Sequence, residues 1–402
     1  MVERIVIIGA GQAGAQAIAT LRAEGFEGSL TLVGDEGFAP YQRPPLSKAY
    51  LAGDFARERL FLKPDAFYTE SACDLRLSLA AEAIDRPKKT VRLCDGTKLS
   101  YDRLLLTTGA RARKLPVPGA GLPGVYYLRG IADVDALRQH FQAGTRLAVV
   151  GGGYIGLEVA AVAVKHGLKV TVIEAADRVM VRAASPQISA FYEKIHRANG
   201  VEFVLGAMAE RFEGNARAQG VSTNLGPVEA DFILAGIGIV PNCELAQAAG
   251  LAWDNGILVD EYGVTSDPDI FAAGDCTSHP GFAGGRVRLE SVQNAIDQAK
   301  HAALAMVGKP VAYREVPWFW SDQYDLKLQI AGLAGAGDIK VLRGNPDSRK
   351  FSVFHLRDGV VAAVEAVNAA PDYIVGRRLI AARAVIAPER LADISVPAKS
   401  LA

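Results

Sequence analysis

Cysteine is scarce in this 402-residue sequence, and none of it is clustered. Cys73, Cys94, Cys243 and Cys276 form no Cys-x-x-Cys and no close pair, so no zinc site, redox dithiol or iron–sulfur ligand set is written here. An excess of one charge is also missing: 44 Lys plus Arg stand against 44 Asp plus Glu. That balance excludes a global electrostatic grip on nucleic acid or an anionic membrane and leaves only a local basic patch open. The longest nearly apolar stretch, Leu147 to Val164, contains three consecutive glycines and Glu158, so it reads as strand, turn and helix, and no membrane span is predicted. Met1-Val2-Glu3-Arg4 runs straight into the strand pattern Ile5-Val6-Ile7-Ile8, which predicts no signal peptide and a cytoplasmic protein.

Glycine, by contrast, is abundant. The 41 glycines exceed the usual share of about 7%, as expected where backbone must approach phosphates closely. Half the residues are apolar and 22% are charged, a globular balance. The length predicts two to three domains.

An internal repeat organises the chain. Laid over the segment from Arg146, the segment from Arg4 places Gly9, Gly11, Gly14 and Gly25 on Gly151, Gly153, Gly156 and Gly167, an offset of 142 residues. Each set follows four apolar, mostly β-branched residues, so each reads as a strand, a turn and a helix ending at Gly25 or Gly167. Second strands are expected at Leu30 to Val33 and Lys169 to Ile173, completing two βαβ units. Strands at Tyr101 to Thr108 and Asp231 to Ile239 bracket an insertion. After Pro317 the texture changes to aromatic and alternating runs. The expected fold class is α/β. Two Rossmann-like dinucleotide-binding domains, residues 1–108 with 239–316 and the inserted 109–238, are followed by a C-terminal α+β domain at 317–402.

In Gly9-x-Gly11-x-x-Gly14 the first glycine permits the tight turn, the second admits a pyrophosphate to the backbone, and the third lets helix pack on strand. Gln12 and Ala13 complete this candidate site. Gly151, Gly153, Gly156, Tyr154 and Ile155 form the second. Asp35 and Glu174, acids about 20 residues on, would accept hydrogen bonds from a ribose diol and repel a 2′-phosphate. Glu174 therefore points to NADH, although Arg178 and Arg182 lie close enough to weaken that choice. A solvated charge at a strand end is the alternative for each acid.

GAGQAG, PYQRPPLSK, LLLTTGARAR, GGGYIGLE, GIGIVPN, TSDPDIFAAGDC and FWSDQ occur in the order seen in the two-dinucleotide flavoprotein reductases. Over essentially its whole length the chain resembles the NADH-dependent ferredoxin reductases that serve bacterial cytochrome P450s and Rieske dioxygenases. The resemblance implies a glutathione reductase-like architecture with FAD in the first domain, NADH in the inserted one and a C-terminal interface domain. It implies that Arg43 and Lys48 approach FAD, with Lys48 beside flavin N5. Ala81, Arg113 and Arg129 would line the FAD path, Asp275 would hold the ribityl and pyrophosphate region, and Val292 would lie near the ring. Arg182 and Gly238 would join the nicotinamide nucleotide site. Tyr154 would gate the flavin until nicotinamide arrives, and Trp320 would stack near it. Taken without the family, Asp275 could be a turn aspartate, Trp320 a core anchor and Glu158 a helix-start acid.

Lys48 and Glu158 are the constellation closest to the chemistry. An ammonium in a dry site stabilises negative charge developing on a reduced ring, and a buried ammonium needs a carboxylate partner. Dithiol reductases carry a cysteine pair after the first βαβ unit; here Tyr41 to Lys48 stands in its place. Electrons taken as hydride must then leave singly to an outside carrier. By resemblance that carrier is an acidic [2Fe–2S] ferredoxin, docking on basic residues drawn from Arg286, Arg288, Lys327, Arg343, Arg349, Lys350, Arg377 and Arg378. A rubredoxin reductase, an NADH oxidase and a flavoprotein of the apoptosis-inducing-factor type are the alternatives.

Overall fold

The computed structural model describes residues 2–401. The chain packs as two compact units, one made of residues 1–42, 57–111 and 240–317, the other of 43–56, 112–239 and 318–402.

In the first unit a five-stranded parallel sheet runs in the order Ile270–Ala272, Arg103–Leu106, Arg4–Ile8, Ser29–Val33, Cys73–Arg76. The repeat's first strand is central, and its residues Ile5 to Ile8 are buried on both faces, which is why the run is continuously apolar rather than alternating. Helices Gln12–Ala23 and Val292–Met306 pack together through alanines such as Ala17, Ala299 and Ala303, whose small side chains let the axes approach. A three-stranded antiparallel sheet, Ala81–Asp85, Thr90–Leu93 and Lys98–Ser100, covers the other side.

The second unit repeats the plan. Its parallel sheet orders Val201–Leu205, Lys169–Glu174, Arg146–Val150, Phe232–Ala235 and Val125–Tyr126, with helix Tyr154–Lys165 following the central strand. Both repeat helices begin at the residue after the middle glycine, Gln12 and Tyr154. Both end as expected, before Gly25 at φ +84° and Gly167 at φ +80°. The C-terminal part is a five-stranded antiparallel sheet in the order Trp318–Gln323, Leu326–Gly332, Val360–Val367, Lys350–Arg357, Ile339–Asn345, with helix Ala370–Ala381 packed on it. Gly376 allows that helix close in: a Cβ there would lie 2.4 Å from Val364 Cγ1. Among the described residues no helix is long and apolar enough to cross a membrane.

Candidate active site

In both glycine turns the outer glycines are demanded by the protein, and the middle one is not. A Cβ on Gly9 would lie 2.1 Å from the Thr107 carbonyl oxygen, and one on Gly14 2.4 Å from that of Gly9. In the second turn the matching approaches are 2.5 Å from Gly151 to the Gly236 oxygen and 2.3 Å from Gly156 to the Gly151 oxygen. At Gly11 and Gly153 a Cβ would meet nothing within 4 Å, and φ values of −110° and −79° suit any residue. Neither packing nor backbone strain accounts for these two glycines. A pyrophosphate drawn against the helix N-terminus does, so the residues present fit one nucleotide in each unit.

The two turns place their acids differently. In the first, Ala10 fills the turn and the facing strand end must be bare, because a Cβ on Gly34 would come 2.5 Å from Ala10 Cβ. In the second, the turn residue is Gly152, and the strand end carries Glu174, whose Oε2 accepts from the Gly152 N–H at 2.6 Å and whose Oε1 accepts from the Ala176 N–H at 2.8 Å. The registers Ile8 with Val33 and Val150 with Ile173 make Gly34 and Glu174 equivalent, so Asp35 lies one residue further out, exposed. Glu174 braces its loop and retains lone pairs for ribose hydroxyls. The Arg178 guanidinium is committed to Ala184 O at 2.9 Å, Ser189 Oγ at 2.5 Å and Val181 O at 3.1 Å. It braces the loop rather than awaiting a 2′-phosphate. Arg182 is exposed, and its Nη2 would lie 3.1 Å from a Cβ on Gly238, a residue at φ +107°. The carbonyl of Gly238 accepts from the N–H of exposed Arg113 at 2.9 Å.

Asp275 follows Gly274, which turns at φ +88°. The Gly274 N–H and the Thr277 hydroxyl reach Gln298 Oε1 at 2.8 and 2.9 Å, which ties the turn to helix Val292–Met306. That helix opens at half-buried Val292 under a Ser291 cap, whose Oγ accepts from the Asn294 N–H at 3.1 Å. Ala81, also half-buried, begins the antiparallel strand of the same unit.

In the second unit, Lys48 and Glu158 meet. Pro44 and Pro45 preset the 3₁₀ turn Pro44–Ser47, and the Lys48 N–H closes it on Pro45 O at 3.0 Å. Lys48 Nζ lies 2.7 Å from Glu158 Oε2. The Ser47 hydroxyl donates to Oε2 at 2.5 Å and the Ser321 hydroxyl to Oε1 at 2.6 Å. The Glu158 side chain is only 4% exposed and that of Lys48 19%. Glu158 is the fifth residue of its helix, beyond the first-turn amides, so a helix-start acid held by those amides does not describe it.

Tyr154, the first residue of the same helix, donates to Ala183 O at 3.0 Å and packs its ring 4.7 Å from that of Phe319. Burial raises its phenol well above the ordinary tyrosine value. Trp320 is half-buried beside Trp318, ring centroids 5.7 Å apart, so a fully enclosed core anchor does not describe it. Arg43 donates to Arg129 O at 2.7 Å, and the N–H groups of Arg129 and Gly130 donate to Asp133 Oδ2 at 2.9 and 2.8 Å. Ser47, Ser321, Gln298 and Asp133 were not singled out from sequence. The first two sit inside RPPLSK and FWSDQ, so motif membership was the available signal.

The basic candidates divide. Arg343 is 5% exposed and bonds Asp372 and the carbonyls of Leu391, Asp393 and Val396, so it is an internal clamp and no docking residue. Arg349 pairs with Asp325, Arg288 with Glu290, and Arg286 bonds the Val259 carbonyl. Arg377 lies 5.6 Å over the Trp318 ring. Lys327, Lys350 and Arg378 are exposed. All four cysteines are free, and among the described residues no His, Cys, Asp and Glu group could hold a metal.

Two βαβ units whose middle turn glycines no protein contact requires, and a lysine–carboxylate pair with no dithiol, are the features of a flavoprotein oxidoreductase of the two-nucleotide class. The chain belongs to the pyridine nucleotide-disulphide oxidoreductase family, whose pattern matches residues 3–299, and residues 318–402 match the reductase C-terminal family. It is 49% identical to rhodocoxin reductase of Rhodococcus erythropolis over 97% of this chain and 92% of that protein. To putidaredoxin reductase CamA of Pseudomonas putida it is 42% identical over 99% and 96%. The crystal structure of the covalent putidaredoxin reductase–putidaredoxin complex superposes with a TM-score of 0.96 at 42% identity, covering 99% of this chain and 98% of that one.

Proposed function

We propose that this chain is an NADH-dependent ferredoxin reductase that passes single electrons to a [2Fe–2S] ferredoxin serving a cytochrome P450 or a Rieske oxygenase. The observation that carries this reading is the pairing of half-buried Lys48 with buried Glu158, held by Ser47 and Ser321, with Lys48 at the end of the segment Tyr41 to Lys48 that stands in the sequence where dithiol reductases carry their cysteine pair. Residues 1–108 and 239–316 would hold FAD through Gly9, Gly11, Gly14 and Asp275, residues 109–238 would hold NADH through Gly151, Gly153, Gly156 and Glu174, and 317–402 would form the interface domain. FAD, when bound, supplies acceptance of a hydride and release of its two electrons one at a time.

The protein's own part is binding, orientation and charge. Lys48 holds a positive charge where the resemblance places flavin N5, and Glu158, 2.7 Å from its Nζ, keeps that ammonium aimed. Glu174 favours the ribose diol of NADH, and Arg178, tied into its loop, offers no ready partner for a 2′-phosphate. Exposed Lys327, Lys350 and Arg378 are the basic groups left for an acidic ferredoxin. A cytoplasmic location belongs to the same proposal and fits four free thiols.

Anaerobic titration with NADH and NADPH, followed by cytochrome c reduction with and without added [2Fe–2S] ferredoxins, tests the reading. Bleaching by NADH at lower concentration than by NADPH, and cytochrome c reduction that depends on ferredoxin and slows as salt rises, are expected. Protein that remains colourless with excess FAD, or rates indifferent to ferredoxin, would overturn it.

A further inference from the structure

Beyond Ser321, the polar contacts to Glu158 continue inward. The Gln323 amide nitrogen donates to Ser321 Oγ at 3.2 Å, and its Oε1 lies 2.8 Å from His196 Nε2. On the other side of the ring, His196 Nδ1 lies 2.9 Å from the Tyr324 hydroxyl. Ser321, Gln323 and His196 are all buried, at 0%, 1% and 0% exposure, so no solvent competes at these three links. Tyr324 is half-buried and sits at φ +57° in the hairpin turn after strand Trp318–Gln323.

The sense of every bond follows from hydrogen counting. Burial lowers His196 to about 4, so its ring is neutral at physiological pH and carries one N–H. Because Gln323 presents its oxygen to Nε2, that N–H is at Nε2, and Nδ1 accepts from Tyr324. The amide, its oxygen fixed by His196, has only its N–H₂ end to offer Ser321. Ser321 has a single proton, and with its oxygen already accepting from the amide, that proton goes to Glu158. The donors therefore run in one direction, Tyr324 to His196 to Gln323 to Ser321 to Glu158. An amide cannot pass a proton along this line, so the chain sets orientation and polarity rather than conducting protons.

We propose that Gln323, His196 and Tyr324 are positioning residues for the Lys48–Glu158 pair, fixing the Ser321 proton on Glu158 so that the carboxylate keeps a donor on each oxygen and stays aimed at Lys48. The inference rests on the reading that Lys48 acts at the flavin. If His196 no longer faced Gln323, the amide could turn its oxygen to Ser321 and draw that proton away, leaving Glu158 Oε1 without its donor.

Two measurements test it. In the purified full-length protein with ¹⁵N-labelled histidine, with or without bound flavin, only six histidines contribute signals, and His196 should show the neutral Nε2–H tautomer across pH 6–8. An Nδ1–H tautomer would overturn the proposal whether or not the flavin chemistry is as described. In stopped-flow reduction by NADH, His196→Leu should slow hydride transfer roughly ten-fold with the apparent affinity for NADH retained. His196→Gln, which keeps an N–H facing Gln323, should recover most of the rate. A purely volumetric role would be met as well by leucine as by glutamine, so equal rates in the two folded variants would overturn the proposal. A protein that bound no flavin would instead sink the ferredoxin reductase reading, with the tautomer measurement still deciding the chain.

Discussion

Glu158 and Ser321 are 163 residues apart in sequence and meet at 2.6 Å because a helix and a strand step in near unison. Four residues of helix rise about 6 Å and two residues of strand about 6.6 Å. Helix Tyr154–Lys165 therefore sets Tyr154 and Glu158 against Phe319 and Ser321 of strand Trp318–Gln323, aromatic on aromatic and carboxylate on hydroxyl. The alternation of that strand sends Trp318 and Trp320 to its other face.

Removing the charge from Glu158 isolates the Lys48 ammonium. Glu158→Gln should cost about 1–3 kcal/mol of stability, less than a fully buried pair would because Lys48 keeps some solvent. Flavin reduction by NADH should fall by about ten-fold or more. Thermal melts and single-turnover kinetics measure the two effects separately.

The middle glycines separate binding from folding. Gly11→Ala and Gly153→Ala should leave the melting temperature of nucleotide-free protein within about 2 °C, because no protein atom contests the added methyl. The first should weaken FAD retention and the second raise KM for NADH. Gly14→Ala, with a Cβ at 2.4 Å from the Gly9 carbonyl oxygen, should lower the melting temperature itself.

Arg343 clamps the C-terminal segment. Arg343→Met removes the bonds to Asp372 and to the Leu391, Asp393 and Val396 carbonyls, while Asp372 keeps the Ser352 hydroxyl at 2.8 Å. A loss of about 3–5 kcal/mol and early proteolysis after residue 390 are expected. Unchanged protease resistance would show that other contacts hold this segment.

Acid should destabilise the protein through His196. Its folded value of about 4 lies below the ordinary 6.5, so between these pH values the unfolded chain binds a proton that the folded chain does not. Its contribution is complete above pH 6.5 and is lost as pH falls toward 4, a change of about 3 kcal/mol. His196→Gln should flatten the dependence of urea midpoint on pH in that window by comparison with the parent protein.

What could be read from the sequence was local. Gly9 to Gly14 and Gly151 to Gly156 declare turn, helix start and phosphate contact within six residues, and Gly25 and Gly167 mark the helix ends through their left-handed φ. Lys48 and Glu158 were legible through their motifs as a pair, but the two serines that bond the carboxylate were not, because Ser321 reaches it only after the C-terminal sheet folds. Arg343 was misread as surface charge. Its neighbours Leu342 and Gly344 give no warning that the strand turns its guanidinium inward onto four acceptors.

By itself, the sequence determined the two βαβ units, the nucleotide turns and the absence of a dithiol, because each is written in neighbouring residues whose backbone geometry is set locally. Tertiary structure alone decided that Glu174 braces the loop across from it while Asp35 lies one residue further out, that Arg178 is committed to its own loop, and that a line of donors from Tyr324 ends on Glu158. Those outcomes depend on which side chains meet across strands and helices far apart in the chain, and hydrogen-bond direction is fixed only once every partner is in place.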